Sequence, residues 1–220
     1  MNPFGLNHYK NCQATQRKIG FFRKISYTKL IDLTLDTNSL LRSFGKNTQY
    51  KIRRAQREGV EFSEQISLQE FVEFYNIFAD TKQRKKLSYH SLSPLMKYLT
   101  ITKAMVGDNC LVVHLHLCDQ TASRAQLQYV ATHFRREANP DTIKLIGYAN
   151  CFLHYANMCH FKKIGYKIYD LGGYAYQTSN QELVKINEFK DGFHGNLVKE
   201  GDYTSIPLFL ILKAKELFTK

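Results

Sequence analysis

The sequence predicts a mixed chain of the α/β (α+β) class, a central sheet flanked by helices, and three stretches carry that expectation. Residues 111–118 and 125–132 are two β-rich runs around a polar turn at 119–123, the clearest hairpin in the chain. From 143 to 164, Ile146, Ala149, Phe152, Leu153, Ala156, Cys159 and Ile164 recur at helical spacing before Gly165. A short β-type run at 167–171 then ends in Asp170 and the pair Gly172, Gly173. Glycines at a strand end let another molecule approach the backbone closely.

Taken in order, residues 1–15 are polar and aperiodic and read as a flexible lead-in to a single domain over 16–220. Residues 19–35 are rich in β-formers, with a turn expected near 26–29. Asp36 and Asn38 offer caps for a short helix at 39–44. The run 46–58 holds five basic residues and one acid. As a helix it stacks Lys46, Tyr50, Arg53 and Arg57 on one face with Arg54 beside them, and turns Ile52 and Ala55 inward. Such a face suits phosphate, because guanidinium forks pair with its oxygens in a bidentate way; a solvated helix surface is the plainer reading. A short strand follows at 60–62.

Ser67 and Glu70 form a capping box for a helix carrying Phe71, Val72, Tyr75 and Phe78, and the basic cluster Lys82, Arg84, Lys85, Lys86 suits the negative end of its dipole. Ser93 before Pro94 opens another helix. His114 and His116 share one strand face, where packing or polar lining is expected; with His133 no carboxylate or thiolate completes a metal set. His160 sits in the apolar helical stripe as a core histidine, whereas Asn150 and His154 lie to one side of it and face either a site or solvent. Residues 181–191 should be helical, with Asn187 and Lys190 on one face; 197–198 and 204–208 supply closing strands, and an amphipathic helix ends the chain.

The length and 44% apolar content suit one sizeable core. A net charge of +12 concentrates polyanions around the protein, with tRNA, a pyrophosphate-bearing sugar lipid and an anionic membrane face as candidates beside simple solubility. Five cysteines without C-x-x-C spacing suit a reducing compartment. No apolar run reaches membrane-spanning length and the first residues lack a signal-peptide core, so a cytoplasmic location, with the inner membrane face as an extension of it, is expected.

One resemblance joins these stretches. Asn150, Leu153 and His154, then Gly165, Tyr166, Asp170, Gly172 and Gly173, then Asn187, Phe189, Lys190, Phe193 and Gly195 resemble, in order and spacing, the C-terminal half of the FemABX family. Upstream, Asn47, Thr48, Tyr50, Lys51, Ile52, Arg53, Arg54, Ala55 and Gly59 extend the likeness, which spans roughly residues 30 to 200. The resemblance implies a GNAT-like acyltransferase fold and transfer of an amino acid from aminoacyl-tRNA to an amine of a peptidoglycan precursor or related cell-surface intermediate. Family members usually carry two such domains, so a second subunit, as in a homodimer, or a partner would have to complete the cleft here. The same likeness points to Lys190 as electrostatic catalyst, the Phe189 backbone as part of an oxyanion hole, and His194, which replaces the motif's usual glycine, as acceptor of the amine proton. Asp170, Gly172, Gly173, Tyr174 and Asn187 would bind substrate.

Acyl transfer from an ester to an amine needs oxyanion donors and positioning but no covalent intermediate. No nucleophile motif is present. After the 125–132 strand, where CoA-dependent relatives of that fold place a glycine-rich pyrophosphate loop, the chain reads HFRREANPDT; Arg135 and Arg136 remain to meet phosphates. No tightly bound cofactor is expected, and aminoacyl-tRNA is the favoured donor. A CoA- or carrier-protein-dependent N-acyltransferase and a non-catalytic RNA-binding module are the alternatives.

Overall fold

A computed structural model describes residues 1–133 and 137–218. The chain packs as two compact units, each gathered from separated stretches, where the sequence suggested one domain. The larger comprises Leu30–Gly172 and Glu188–Gly195, and the smaller Met1–Lys29, Gly173–Asn187 and Asn196–Lys220.

In order, the elements are β1 (His8–Cys12), β2 (Phe21–Asp32), α1 (Thr37–Ser43), α2 (Lys46–Arg57), β3 (Glu61–Ser63), α3 (Leu68–Thr81) and α4 (Tyr89–Leu92). After a 3-10 turn at Ser93–Tyr98 come β4 (Leu99–Val106), β5 (Asn109–Asp119), β6 (Arg124–Thr132), α5 (Pro140–Lys163), β7 (Ile168–Gly173), α6 (Gln181–Asp191), β8 (Asn196–Ser205) and α7 (Ile206–Phe218). Strand order in the larger unit runs β7-β6-β5-β4-β3 from the last residues of β2, and in the smaller unit β1-β8-β2. Neighbours β3 to β6 are antiparallel and β6 with β7 is parallel, which makes the sheet mixed. The sheet and its flanking helices give the α/β class that the sequence predicted.

Strand β5 is central and buried on both faces, which is why it reads as a nearly continuous apolar run rather than an alternating one. Val113 and Leu115 turn toward α3, whose capping box at Ser67 and Glu70 is formed and whose Phe71, Val72 and Tyr75 complete that layer. Val112 turns the other way, toward α5, with Ile146, Ala149, Phe152, Leu153 and Met158. Helix α2 packs on α5 through Ile52 and Ala55, both fully buried.

Four local expectations are corrected. Residues 8–12 are not a loose lead-in but a strand paired with β8, because backbone groups that water would otherwise satisfy find a ladder there. β2 runs unbroken through 26–29, with Thr28 buried, since residues 26–29 hold no Gly, Pro, Asn or Asp to force a turn. The helix expected from Pro94 lasts one 3-10 turn before the β-branched and apolar run of β4 takes over. The two closing strands are one, β8, and Ile206 already begins α7.

Candidate active site at the end of β7

Strand β7 carries the polar centre of the larger unit. Asp170 is fully buried and is held by its neighbour on β6: Arg124 donates from Nε at 3.1 Å and from Nη2 at 2.5 Å to Oδ2. The parallel register, with Arg124 opposite Ile168 and Gln126 opposite Asp170, fixes that fork. The other carboxylate oxygen accepts the Gly172 amide at 2.9 Å, which bends the strand end back on itself. Gly172 has φ +74, and a Cβ there would lie 2.9 Å from the Leu127 carbonyl oxygen, so only glycine fits.

That turn presents the Gly172 carbonyl to Lys190 near the end of α6, whose Nζ donates to it at 3.0 Å. Burial pushes the Lys190 ammonium down to about 8, against the opposing pull of Asp170. The structure therefore brings together Lys190, Gly172 and Asp170 as the sequence expected, and adds Arg124, which it did not.

Phe189 and Phe193 lie over His154, with ring centroids at 5.4 and 5.1 Å. Phe189 sits in the third turn of α6, where the helical ladder takes its amide, so the Phe189 backbone is no oxyanion donor and its ring is what it contributes. His154 does not face solvent. It is buried, and its Nδ1 meets the Tyr169 hydroxyl at 3.1 Å; the same hydroxyl meets His116 Nε2 at 3.1 Å. One hydroxyl proton means Tyr169 donates to one ring and accepts from the other. His114 packs on His154 at 4.5 Å, accepts from the Asn157 amide at Nδ1 (3.1 Å) and so carries its proton on Nε2, which donates to Asn150 Oδ1 at 2.9 Å. Burial keeps all three imidazoles neutral: His114 is pushed down to about 4, and His116 and His154 well below the ordinary range. Half-buried Asn150 is thus held through its Oδ1 by His114, and buried His154 through its Nδ1 by Tyr169. The i, i+2 pair His114 and His116 and the i, i+4 pair Asn150 and His154 were the signals of this network in the sequence; Asn157 and Tyr169 gave none.

Helix α2 places Lys46, Tyr50, Arg53 and Arg57 along one face with Gln49 and Gln56, lining an open hollow of about 710 Å³. Among the described residues no carboxylate pairs with Lys46, Arg53 or Arg57, whereas Arg54 beside them is tied to Glu58. The N-terminus of α2 is anchored to the turn that follows Lys190: Gly45 N–H donates to the Gly192 carbonyl at 2.9 Å, and Thr48 fills the space over Gly192. His194 is exposed at φ +51, a conformation that favours glycine, and its imidazole lies against Gly45. Arg135 and Arg136 lie outside the described residues.

In the smaller unit, Asn187 spends its amide on Ala175, accepting its N–H at 3.1 Å and donating to its carbonyl at 2.9 Å. It clamps the loop after β7. Gly173 is exposed, and Tyr174 donates its amide to Tyr27 at 2.7 Å with Lys29 Nζ 5.5 Å from its ring centroid. Among the described residues no group of three or more His, Cys, Asp or Glu is placed to hold a metal, and no helix is long and apolar enough to cross a membrane.

Comparison with known proteins adds the following. The FemAB family model matches residues 2–100. The crystal structure of FemX is similar with a TM-score of 0.68 at 12% identity, over 91% of this chain and 67% of that one. The C-terminal domain (DUF2156) of a putative lysylphosphatidylglycerol synthetase from Agrobacterium fabrum has a TM-score of 0.56 at 15% identity, over 90% of this chain and 66% of that one. L-PGS from Bacillus licheniformis has a TM-score of 0.56 at 15% identity, over 91% and 68%. The chain thus spans about two thirds of the length of these structures, and at such identities the likeness is one of fold. No curated protein matches the sequence.

Proposed function

We propose, from the FemAB family model's match to residues 2–100, that the chain is an aminoacyltransferase of that kind, moving an amino acid from aminoacyl-tRNA to an amine of a cell-wall precursor. The observation that carries this reading is the Lys190 ammonium, held on the Gly172 carbonyl at 3.0 Å by a strand end that the buried Asp170–Arg124 pair fixes. When the acceptor nitrogen attacks the ester carbonyl, the C–N bond forms and the carbonyl oxygen takes negative charge. A fixed cation in a partly desolvated setting stabilises that oxygen more than the neutral ester, which lowers the barrier. Collapse breaks the ester C–O bond; the nitrogen gives up a proton, for which exposed His194 is the candidate acceptor, and the ribose oxygen regains one. The basic row of α2 supports the choice of donor, since Lys46, Arg53 and Arg57, which pair with no carboxylate among the described residues, suit the phosphates along a nucleic-acid backbone.

The test supplies the full chain with charged tRNA and, separately, with acyl-CoA, each with cell-wall precursors, and follows loss of the acyl group. Acceptor-dependent deacylation of the tRNA that disappears in Lys190→Met is the expected result. Turnover of acyl-CoA with the tRNA untouched, or an unchanged rate in Lys190→Met, overturns the reading.

A further inference from the structure

The smaller unit combines positive charge with exposed apolar side chains. Its three stretches hold eleven Lys and Arg against four Asp and Glu, and the first of them, Met1–Lys29, has six basic residues and no acid. The apolar residues meet at the start of α7. The Ile206 amide donates to the Gly20 carbonyl at 3.0 Å, Phe22 stacks on Phe209 at 4.3 Å, and Pro3 packs on Gly20. Around these contacts Ile19 is 99% exposed, Phe4 90% and Leu210 60%, with Phe22, Ile206, Ile211 and Leu212 also exposed. Residues 206–212 are apolar without a break, so α7 has no polar face to offer water along its first two turns. Folded monomers rarely leave an apolar patch of this kind to solvent.

We propose that this face of the smaller unit docks on an anionic lipid surface, with α7 lying in the headgroup boundary. A protein partner would account for the apolar residues but not for the basic excess around them. Arg17 and Lys18 precede Ile19, Lys24 shares the exposed side of β2 with Phe22, and Lys213 and Lys215 follow the apolar turns of α7. Apolar insertion joined to a basic rim is what an interfacial segment needs, since neither alone holds a protein to a bilayer firmly. Thirteen residues of helix span roughly 20 Å, too short to cross. The proposal uses no step of the transfer chemistry, so it stands or falls apart from it.

The experiment sediments the full chain with vesicles of phosphatidylcholine alone and of phosphatidylcholine mixed with phosphatidylglycerol, at low and high salt. Binding to the phosphatidylglycerol vesicles, weakened by salt, is expected. The pairs Ile19→Asp with Leu210→Asp, and Arg17→Glu with Lys24→Glu, should each lower the bound fraction about tenfold. All four positions are exposed, so the melting temperature should not move. Absence of vesicle binding, or equal binding to both compositions, overturns the proposal. So does a dimer in solution that Leu210→Asp dissociates while no vesicle binds, which would make the face a contact between two copies.

Discussion

Replacing Gly172 by alanine tests whether the turn that aims its carbonyl at Lys190 is as constrained as its geometry says. An L-residue at φ +74 costs about 1–2 kcal/mol. The new methyl would sit 2.9 Å from the Leu127 carbonyl oxygen, a backbone atom that must shift, for about 1–3 kcal/mol more. Loss of unfolded-state freedom returns roughly 0.5–1 kcal/mol. The net destabilisation is about 1–4.5 kcal/mol, or a fall in Tm of roughly 2–18 °C for a chain of this size. Gly147→Ala is the matched control. It lies exposed within α5 with nothing within 4 Å of an added Cβ, so there the same change should stabilise by about 0.5–1 kcal/mol. Urea titration and thermal melts followed by circular dichroism measure both. A Gly172→Ala loss below about 1 kcal/mol, or a Gly147→Ala loss matching it, would refute the account of this turn.

Lys190→Met should cut transfer by about 10²–10³-fold while the melt stays cooperative, as single-turnover assays would show. Because the Lys190 pKa is about 8 in the folded chain and higher when unfolded, the unfolded chain binds the extra proton above about pH 8, so stability rises with pH there and the variant should lack that rise. Asp170→Asn removes the carboxylate from a buried pair and should cost about 3–5 kcal/mol in urea, with Arg124→Gln added to it recovering part of the loss. His114 sits near 4 when folded against 6.5 unfolded, so as pH falls below 6.5 the unfolded chain takes up protons first. Stability should therefore drop, by about 3 kcal/mol from this residue alone near pH 4, and pH-dependent melts should show it.

The parts of the fold that were readable in the sequence are those whose signals are local. The capping box at Ser67 and Glu70, the periodicity of α5, the 119–123 turn and the basic row of α2 each follow from residues within a few positions of one another, and the structure forms all four. What was not readable depends on pairing across long separations. Strand β1 is a strand only because β8, nearly two hundred residues later, offers it a ladder. β4 lies beyond a Ser-Pro pair that locally says helix, and only the neighbouring β5 makes an extended chain the better use of its backbone groups.

The candidate site divides along the same line. Lys190, Gly172 and Asp170 lie together because β7 and the end of α6 meet, and the resemblance in residue order carries that information. Arg124, fifty positions before Gly173 less one, shows only in the parallel register of β6 with β7. For His154 and Asn150 the sequence left a site or solvent as the neighbour, since polarity on a helix flank says nothing of what covers it. What covers them is more polarity: His114 from β5 meets Asn150, and the Tyr169 hydroxyl from β7 meets both His154 and His116. Buried polar groups are tolerated when their partners are supplied in fixed geometry. This layer ties three elements beneath Phe189 and Phe193, so the helix end that carries Lys190 rests on a base with few alternative arrangements. A cation that acts by position alone requires such a base, because an ammonium free to wander would bind the ester and its transition state equally well.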